Sequence, residues 1–224
     1  MRSSRLKVTA RVAAQFLAMV FSLALVSTPG WAVFDDPKKA AEQKDAAAAT
    51  PEAQAALDAA LMAVKAGDAL AAGGTPGKLP ADAKTAYTKA RAKFGEATKA
   101  DPKLAQAWNG LGYSSRKLGD YKSALAAYDK ALELHAGYPE ATEYRGEAYL
   151  GLNRVEDAKQ AYLDLFAANR VLADKLLGAM KRWIGTQKSG SPAAADLASW
   201  VEERSKIAAQ TASLTREGTA AGWR

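Results

Sequence analysis

The stretch WNGLGYSSRKLGDYKSALAAY, which spans residues 108–128, decides the fold of this chain. Apolar and small residues recur in it every three to four positions, as they do on one face of a helix. Gly119-Asp120 interrupts this pattern and is typical of a turn. We therefore predict two antiparallel helices, the first from about Leu104 to Leu118 and the second from about Tyr121 to His135.

Two small residues explain how these helices pack. Gly112 and Ala124 lie where the two predicted helices cross, and a larger side chain at either position would push the helix axes apart. Trp108, Leu111 and Tyr128 then fill the space on both sides of the crossing.

The same features recur at an interval of 34 residues. Gly146 follows Gly112 at this interval, and Ala90, Ala124 and Ala158 share it. Phe94, Tyr128 and Tyr162 share it as well. A fixed period of this length indicates a repeat architecture. Ala supplies nearly a quarter of the chain, which favours helices over strands.

At these positions the chain resembles the tetratricopeptide repeat (TPR) family, whose pattern is W-x2-L-G-x2-Y, then A-x3-F, then P. The pattern is met by Trp108, Leu111, Gly112, Ala124 and Tyr128, and departed from at Ser115 and Ala136. The resemblance implies an all-α fold, a right-handed TPR superhelix of antiparallel helix pairs with about three repeats. It also implies a concave groove, lined by the first helix of each pair, that holds a peptide or helix of a partner.

The resemblance divides the body of the chain into units. Residues 105–138 and 139–172 are predicted as TPRs, and residues 51–104 as a degenerate unit. Its Leu57 and Ala90 lie 33 residues apart, whereas their counterparts Trp108 and Ala124 lie 16 apart, which leaves 17 additional residues. They centre on the Gly/Pro-rich residues 73–80, which predict a loop. The loop either carries binding residues or is a tolerated insertion.

The two ends of the chain differ from the repeats. Residues 173–214 are predicted as capping helices, which repeat arrays need to cover a terminal apolar face, and residues 215–224 as a tail. Residues 1–32 have a basic start, an apolar run and a small residue at Ala32, the layout of a signal peptide. A flexible linker, 33–50, follows. The alternative is an uncleaved membrane anchor, although the apolar run is short for a span.

The composition argues against several functions. The chain has no Cys and one His, His135, which argues against disulfides, thiol catalysis, metal sites and covalently attached cofactors. We therefore predict no enzymatic activity, no catalytic residue, no cofactor and no metal. The formal net charge is +7, and four of the basic residues but no acidic residue lie in 1–32. The remaining charge gives no reason to propose nucleic acid.

The candidate binding residues are the groove positions that packing does not require. They are Gln106, Asn109, Tyr113, Arg116, Lys117, Glu140, Glu143, Tyr144, Glu147 and Lys181. The groove is expected to be basic near Arg116 and acidic near Glu143, with the tyrosines between them. Glu143 and Glu147 disfavour the family's carboxylate clamp for a partner's C-terminus. The alternative for each residue is an ordinary solvated helix face.

These observations predict a non-enzymatic protein–protein interaction module. The signal segment places it in the periplasm, as an adaptor or assembly factor for a partner protein in the cell envelope. The alternative is an inner-membrane-anchored structural scaffold that retains its N-terminal segment, and contact with the membrane is expected only in that case.

Overall fold

The computed structural model of the chain describes residues 49–72 and 78–220, with side chains as far as Thr211. Within these residues the protein consists of eight helices and no strand. The helices are α1 (Pro51–Ala72), α2 (Ala81–Ala100), α3 (Ala105–Lys117), α4 (Tyr121–Leu134), α5 (Pro139–Gly151), α6 (Val155–Ala168), α7 (Arg170–Thr186) and α8 (Pro192–Ala220). The predicted signal peptide 1–32 and nearly all of the predicted linker 33–50 lie outside the described residues.

Each helix packs against the next one along the chain. The odd-numbered helices α1, α3, α5 and α7 contact one another in that order as well. They therefore form one side of the array, and the even-numbered helices α2, α4 and α6 pack behind them. The expected all-α repeat superhelix is confirmed.

The helix crossings are built around the small residues that the repeat pattern requires. A Cβ atom at Gly112 would lie 2.5 Å from the ring of Tyr128, and one at Gly146 would lie 2.6 Å from Leu176. Ala124 and Tyr128 are fully buried. Any side chain at Gly112 would therefore force α3 and α4 apart or displace the Tyr128 ring.

The turn of the regular pair α3–α4 is short and locally determined. Gly119 has a φ angle of 82°, in the left-handed region where a residue without Cβ is favoured. The side chain of Asp120 accepts a hydrogen bond from the backbone N–H of Ser123 at 3.2 Å and so caps α4. These two residues explain why the helical pattern breaks between Lys117 and Tyr121.

The first pair, α1–α2, is longer than the regular pair. Aligned on the repeat, α1 continues through residues 67–72 and α2 begins with residues 81–86, where α3 and α4 are joined by residues 118–120 alone. We call residues 67–86 the hairpin extension; the structure describes them except for 73–77. The predicted inserted loop is thus mostly two additional helical segments.

The last two helices cover the end of the array. Leu176 and Met180 of α7 are fully buried, and Leu197 and Val201 of α8 pack into the same core. Helix α8 continues to Ala220, beyond its predicted end near Leu214, and so includes part of the predicted tail 215–224. Among the described helices, none is long and apolar enough to span a membrane.

Candidate functional site

Several predicted groove residues lie inside the molecule rather than on its surface. Asn109, Glu140 and Glu143 are 4 % exposed or less, and Tyr144 is 8 % exposed. The Asn109 amide donates a hydrogen bond to the Tyr138 hydroxyl at 3.2 Å. The expectation that packing does not require these four residues is therefore wrong, because neighbouring helices cover them.

Arg116 lies at the centre of this buried region. Its guanidinium carbon is 5.2 Å from the ring centroids of both Tyr113 and Tyr144, which gives two cation–π contacts. It donates a hydrogen bond to the Glu147 carboxylate, and its side chain is 13 % exposed. The expected separation of a basic and an acidic part of the groove is therefore wrong here, since the two charges neutralise each other.

Glu143 lies one turn before Glu147 on α5 and is buried beside it. Burial, followed by the negative charge of Glu147, raises the pKa of Glu143 to about 8. The positive charges of Arg116 and of Lys175 on α7 act in the opposite direction but do not outweigh burial. Glu143 therefore retains its proton in neutral solution more readily than an exposed glutamate does.

Asp68 in the hairpin extension attaches that extension to α3. Its Oδ1 atom accepts hydrogen bonds from the hydroxyls of Tyr87 at 2.6 Å and Tyr113 at 2.7 Å. The same oxygen lies 3.7 Å from the Lys117 ammonium. Burial and the neighbouring Asp68 carboxylate raise the pKa of both tyrosines, which keeps them protonated as donors. The repeat pattern of the sequence does not indicate this role of Asp68.

Charges of alternating sign therefore connect the four odd-numbered helices. Asp68 on α1 faces Lys117 on α3. Arg116, next to Lys117, donates a hydrogen bond to Glu147 on α5. Arg182 on α7 lies 3.7 Å from the other carboxylate oxygen of Glu147. We call these five residues the charged row. It runs across the side of the array where the resemblance places the groove.

An open cavity of about 590 Å³ lies beside the charged row. The hairpin extension forms one wall with Ala71, Ala72, Lys78, Leu79 and Pro80. Helix α7 forms the opposite wall with Ala179, Arg182 and Trp183. Arg116, Lys117 and Glu147 lie between the walls, next to Leu150. The extension thus converts one end of the groove into a bounded site.

The structure brings together part of the predicted residue set. Arg116, Lys117 and Glu147 line the cavity, while Tyr113, Glu143 and Tyr144 pack next to Arg116. The remaining four residues, Gln106, Asn109, Glu140 and Lys181, are not among those that line it. Lys181 instead lines a second hollow between α7 and α8, with Ile184 and Val201.

Two other wall residues were not predicted as binding residues. They are Arg182 and Trp183, which directly follow the predicted Lys181 in sequence. Trp183 is partly buried against the terminal core and partly exposed to the cavity. In the part of the chain that the structure describes, no three His, Asp or Glu side chains are grouped in a way that could hold a metal ion.

Comparison with known proteins agrees with the geometry. The model of the tetratricopeptide repeat family matches residues 81–139 and 114–170, which together cover α2 to α6 and the start of α7. No curated protein sequence gives a significant match to the chain. The family match, the helix pairs and the small residues at their crossings show that residues 81–170 of this chain form tetratricopeptide repeats.

Proposed function

We propose that this protein is a non-enzymatic adaptor or assembly factor that holds a segment of another protein in the cavity between the hairpin extension and α7. Tetratricopeptide repeats form a protein–protein interaction fold, and this is the general basis of the proposal. The observation that carries it is the cavity itself. Its volume of about 590 Å³ is comparable to that of small-molecule sites, about 300–1,000 Å³, so it can hold a few side chains of a bound segment.

The walls of the cavity have the chemistry of a protein-binding site. Leu79, Pro80 and Trp183 offer apolar area, and Trp is frequent among the residues that dominate binding energy. Lys117 and Arg182 supply charged groups that fix the register of a bound chain. The partner would therefore gain both buried apolar area and specific polar contacts.

We further propose that the protein acts in the periplasm. The support for this is the basic and apolar pattern of residues 1–32, which resembles a signal peptide. The alternative is a scaffold anchored in the inner membrane by an uncleaved N-terminal segment. N-terminal sequencing of the mature protein distinguishes them, because a chain that begins near residue 33 supports the first and one that retains Met1 supports the second.

The binding site is tested by a photo-crosslinking amino acid placed at Leu79, on the wall formed by the extension, and at Lys122, which is exposed on α4. We expect a partner to be crosslinked in living cells from Leu79 and not from Lys122. The partner is then purified, and its affinity is measured for the wild-type protein and for two matched variants.

Ala72→Trp fills the cavity from an exposed position, and Ala126→Trp adds the same side chain at an exposed position on α4. We expect Ala72→Trp to weaken binding at least about tenfold, which is about 1.4 kcal/mol, and Ala126→Trp to leave it unchanged. A partner that binds Ala72→Trp normally but loses affinity for Ala126→Trp would place the binding surface on the even-numbered helices and overturn the proposal.

A further inference from the structure

The charges around the cavity do not balance. Four basic residues line it, Lys78, Arg116, Lys117 and Arg182, and one acidic residue, Glu147. Groups of like charge held around a concave site raise the local electrostatic potential and attract ligands of opposite sign. The cavity is therefore electropositive, with a ratio of basic to acidic residues well above that of the whole chain, which has 31 basic and 24 acidic residues.

The single acidic residue is already engaged. Glu147 accepts a hydrogen bond from Arg116, whose guanidinium is buried and has no other carboxylate recorded as an ion-pair partner in the described part of the chain. Arg182 approaches Glu147 only to 3.7 Å, and its side chain is 72 % exposed. The guanidinium of Arg182 thus has most of its donors directed to solvent at the rim of the cavity.

The Lys117 ammonium also lacks a hydrogen-bond acceptor at close range. It lies 3.7 Å from Asp68 Oδ1, beyond hydrogen-bond distance, and that oxygen already accepts from two tyrosine hydroxyls. Burial lowers the pKa of Lys117, and the Asp68 carboxylate acts in the opposite direction. An added carboxylate would supply a missing acceptor to a cation that is only 28 % exposed.

Lys78 completes the group from the opposite wall. It is exposed on the hairpin extension, and no ion pair is recorded for it among residues 49–72 and 78–211. Lys78, Lys117 and Arg182 come from the extension, α3 and α7, so they surround the cavity from three sides. A ligand with more than one negative group could contact all of them.

We infer that the cavity binds an acidic segment of the partner, whose side-chain carboxylates pair with Lys78, Lys117 and Arg182 while its apolar side chains contact Leu79 and Trp183. This inference rests on the proposed function and specifies the chemistry of the bound segment. A two-turn helix about 10 Å wide would occupy about 850 Å³ and would have to project from the open side of the cavity. We take the occupant to be a short extended segment, which can bring several carboxylates to the three basic residues within the cavity.

The test uses short random peptides displayed on phage as N-terminal fusions, so that no peptide has a free C-terminal carboxylate. The full-length protein is used for selection, and the selected peptides are then synthesised with an amidated C-terminus. We expect Asp and Glu to be enriched together with apolar residues. Binding of the synthetic peptides is measured by fluorescence anisotropy, and their affinity should fall as the salt concentration rises.

Two double variants locate the effect. Lys78→Gln with Arg182→Gln removes two exposed charges from the cavity, and Lys99→Gln with Lys122→Gln removes two exposed charges from α2 and α4. We expect the first pair to weaken the acidic peptides at least about tenfold and the second pair to change their affinity less than about twofold. Melting temperatures of both double variants should match that of the wild type, since all four side chains are exposed or at the rim.

The outcomes separate this inference from the proposed function. If the selected peptides are neutral or basic and do not bind Ala72→Trp, the inference of an acidic segment is wrong, but the cavity remains the binding site. Acidic peptides that bind the Lys78→Gln/Arg182→Gln variant as well as they bind the wild type also overturn the inference. If no selected peptide is sensitive to Ala72→Trp, the proposed site fails together with the inference.

Discussion

The pairs α1–α2 and α3–α4 follow the same packing plan at different lengths. Helices α3 and α4 have 13 and 14 residues and meet at a three-residue turn, 118–120. Helices α1 and α2 have 22 and 20 residues. In both pairs large buried side chains pack between the two helices: Tyr128 in the regular pair, and Phe94 with Leu57 in the longer one.

The difference shows where a repeat protein can add a feature without changing its core. Each unit contacts mainly its neighbours, so extra residues at the turn extend a hairpin and leave the repeat packing intact. Here the extra residues add Asp68, which bonds to two tyrosines, and a wall for the cavity. The regular pair provides stability, and the hairpin extension shapes the site.

The largest expected effect on stability belongs to the regular pair. Gly112→Leu places a branched side chain where a Cβ atom alone would be 2.5 Å from Tyr128, and we expect a loss of about 3 kcal/mol or more in the free energy of unfolding. Gly67→Leu should cost less: a Cβ atom at Gly67 would lie 2.8 Å from Tyr87 of α2, and the two helices can separate at the hairpin extension without opening the repeat crossings. Urea denaturation of both variants measures the difference.

Gly95→Ala is the control for these substitutions. A Cβ atom at Gly95 meets nothing within 4 Å, and Ala favours a helix over Gly by about 1 kcal/mol. This variant should therefore be slightly more stable than the wild type. If Gly67→Leu destabilises the protein as much as Gly112→Leu does, the hairpin extension belongs to the cooperative core and our contrast between the two pairs is wrong.

The next effect comes from the attachment of the hairpin extension. Asp68→Ala removes the acceptor of two tyrosine hydroxyls, one of them on the fully buried Tyr87, and we expect a loss of about 2 kcal/mol. Asp68→Asn retains an acceptor oxygen and should cost about 1 kcal/mol or less. Melting temperatures measured by circular dichroism compare the two, and equal losses would show that the hydrogen bonds contribute little.

The repeat and its helix pairs could be predicted because the packing imposes a period. Gly112 and Gly146 must be small to let the helices cross, so their spacing of 34 residues reveals the unit. The repeat alignment also places Arg116 near Glu147. Glu147 occupies the position of Tyr113 one repeat later, and Arg116 lies one helical turn beyond Tyr113. The spacing does not reveal that both side chains are covered.

The hairpin extension and Asp68 could not be predicted in the same way. The Gly/Pro-rich residues 73–80 signal a break but do not indicate that helices continue on both sides of it. Asp68 and Tyr113 lie 45 residues apart, and their contact depends on how the longer hairpin approaches α3. Local periodicity describes one helix face at a time and contains no information on such a contact.

Glu143 provides a pH-dependent measure of burial in the regular part of the array. Its pKa is raised from 4.5 to about 8, so the folded protein binds this proton more tightly than the unfolded chain does. The resulting stabilisation is present below about pH 4.5 and is lost as the pH rises to about 8. Glu143→Gln keeps a neutral side chain, so it should be more stable than the wild type at pH 8 by about 1.4 kcal/mol or more, the equivalent of at least one pKa unit.

The exposed Glu203→Gln is the control, and its melting temperature should follow that of the wild type across the same pH range. A Glu143→Gln variant that is less stable than the wild type at pH 8 would contradict the prediction. It would show that the attraction of Arg116 and Lys175 for an ionised Glu143 exceeds the cost of burying its charge.

The smallest effect on stability is expected from the largest change in sequence. Replacing residues 67–86 by Leu-Gly-Asp, the turn of the regular pair, joins α1 and α2 as α3 and α4 are joined. The Tyr87 and Tyr113 hydroxyls lose Asp68, as they do in Asp68→Ala, but the segment that covers them is lost as well. Water then accepts their hydrogen bonds, so no buried donor is left unsatisfied. We expect a loss of less than about 1 kcal/mol in the free energy of unfolding, smaller than that of Asp68→Ala, together with complete loss of the cavity and of partner binding.

Urea denaturation and the binding assay check both expectations. A shortened protein that is less stable than Asp68→Ala would show that the hairpin extension holds the array together, and one that still binds the partner would show that the site does not need the extension.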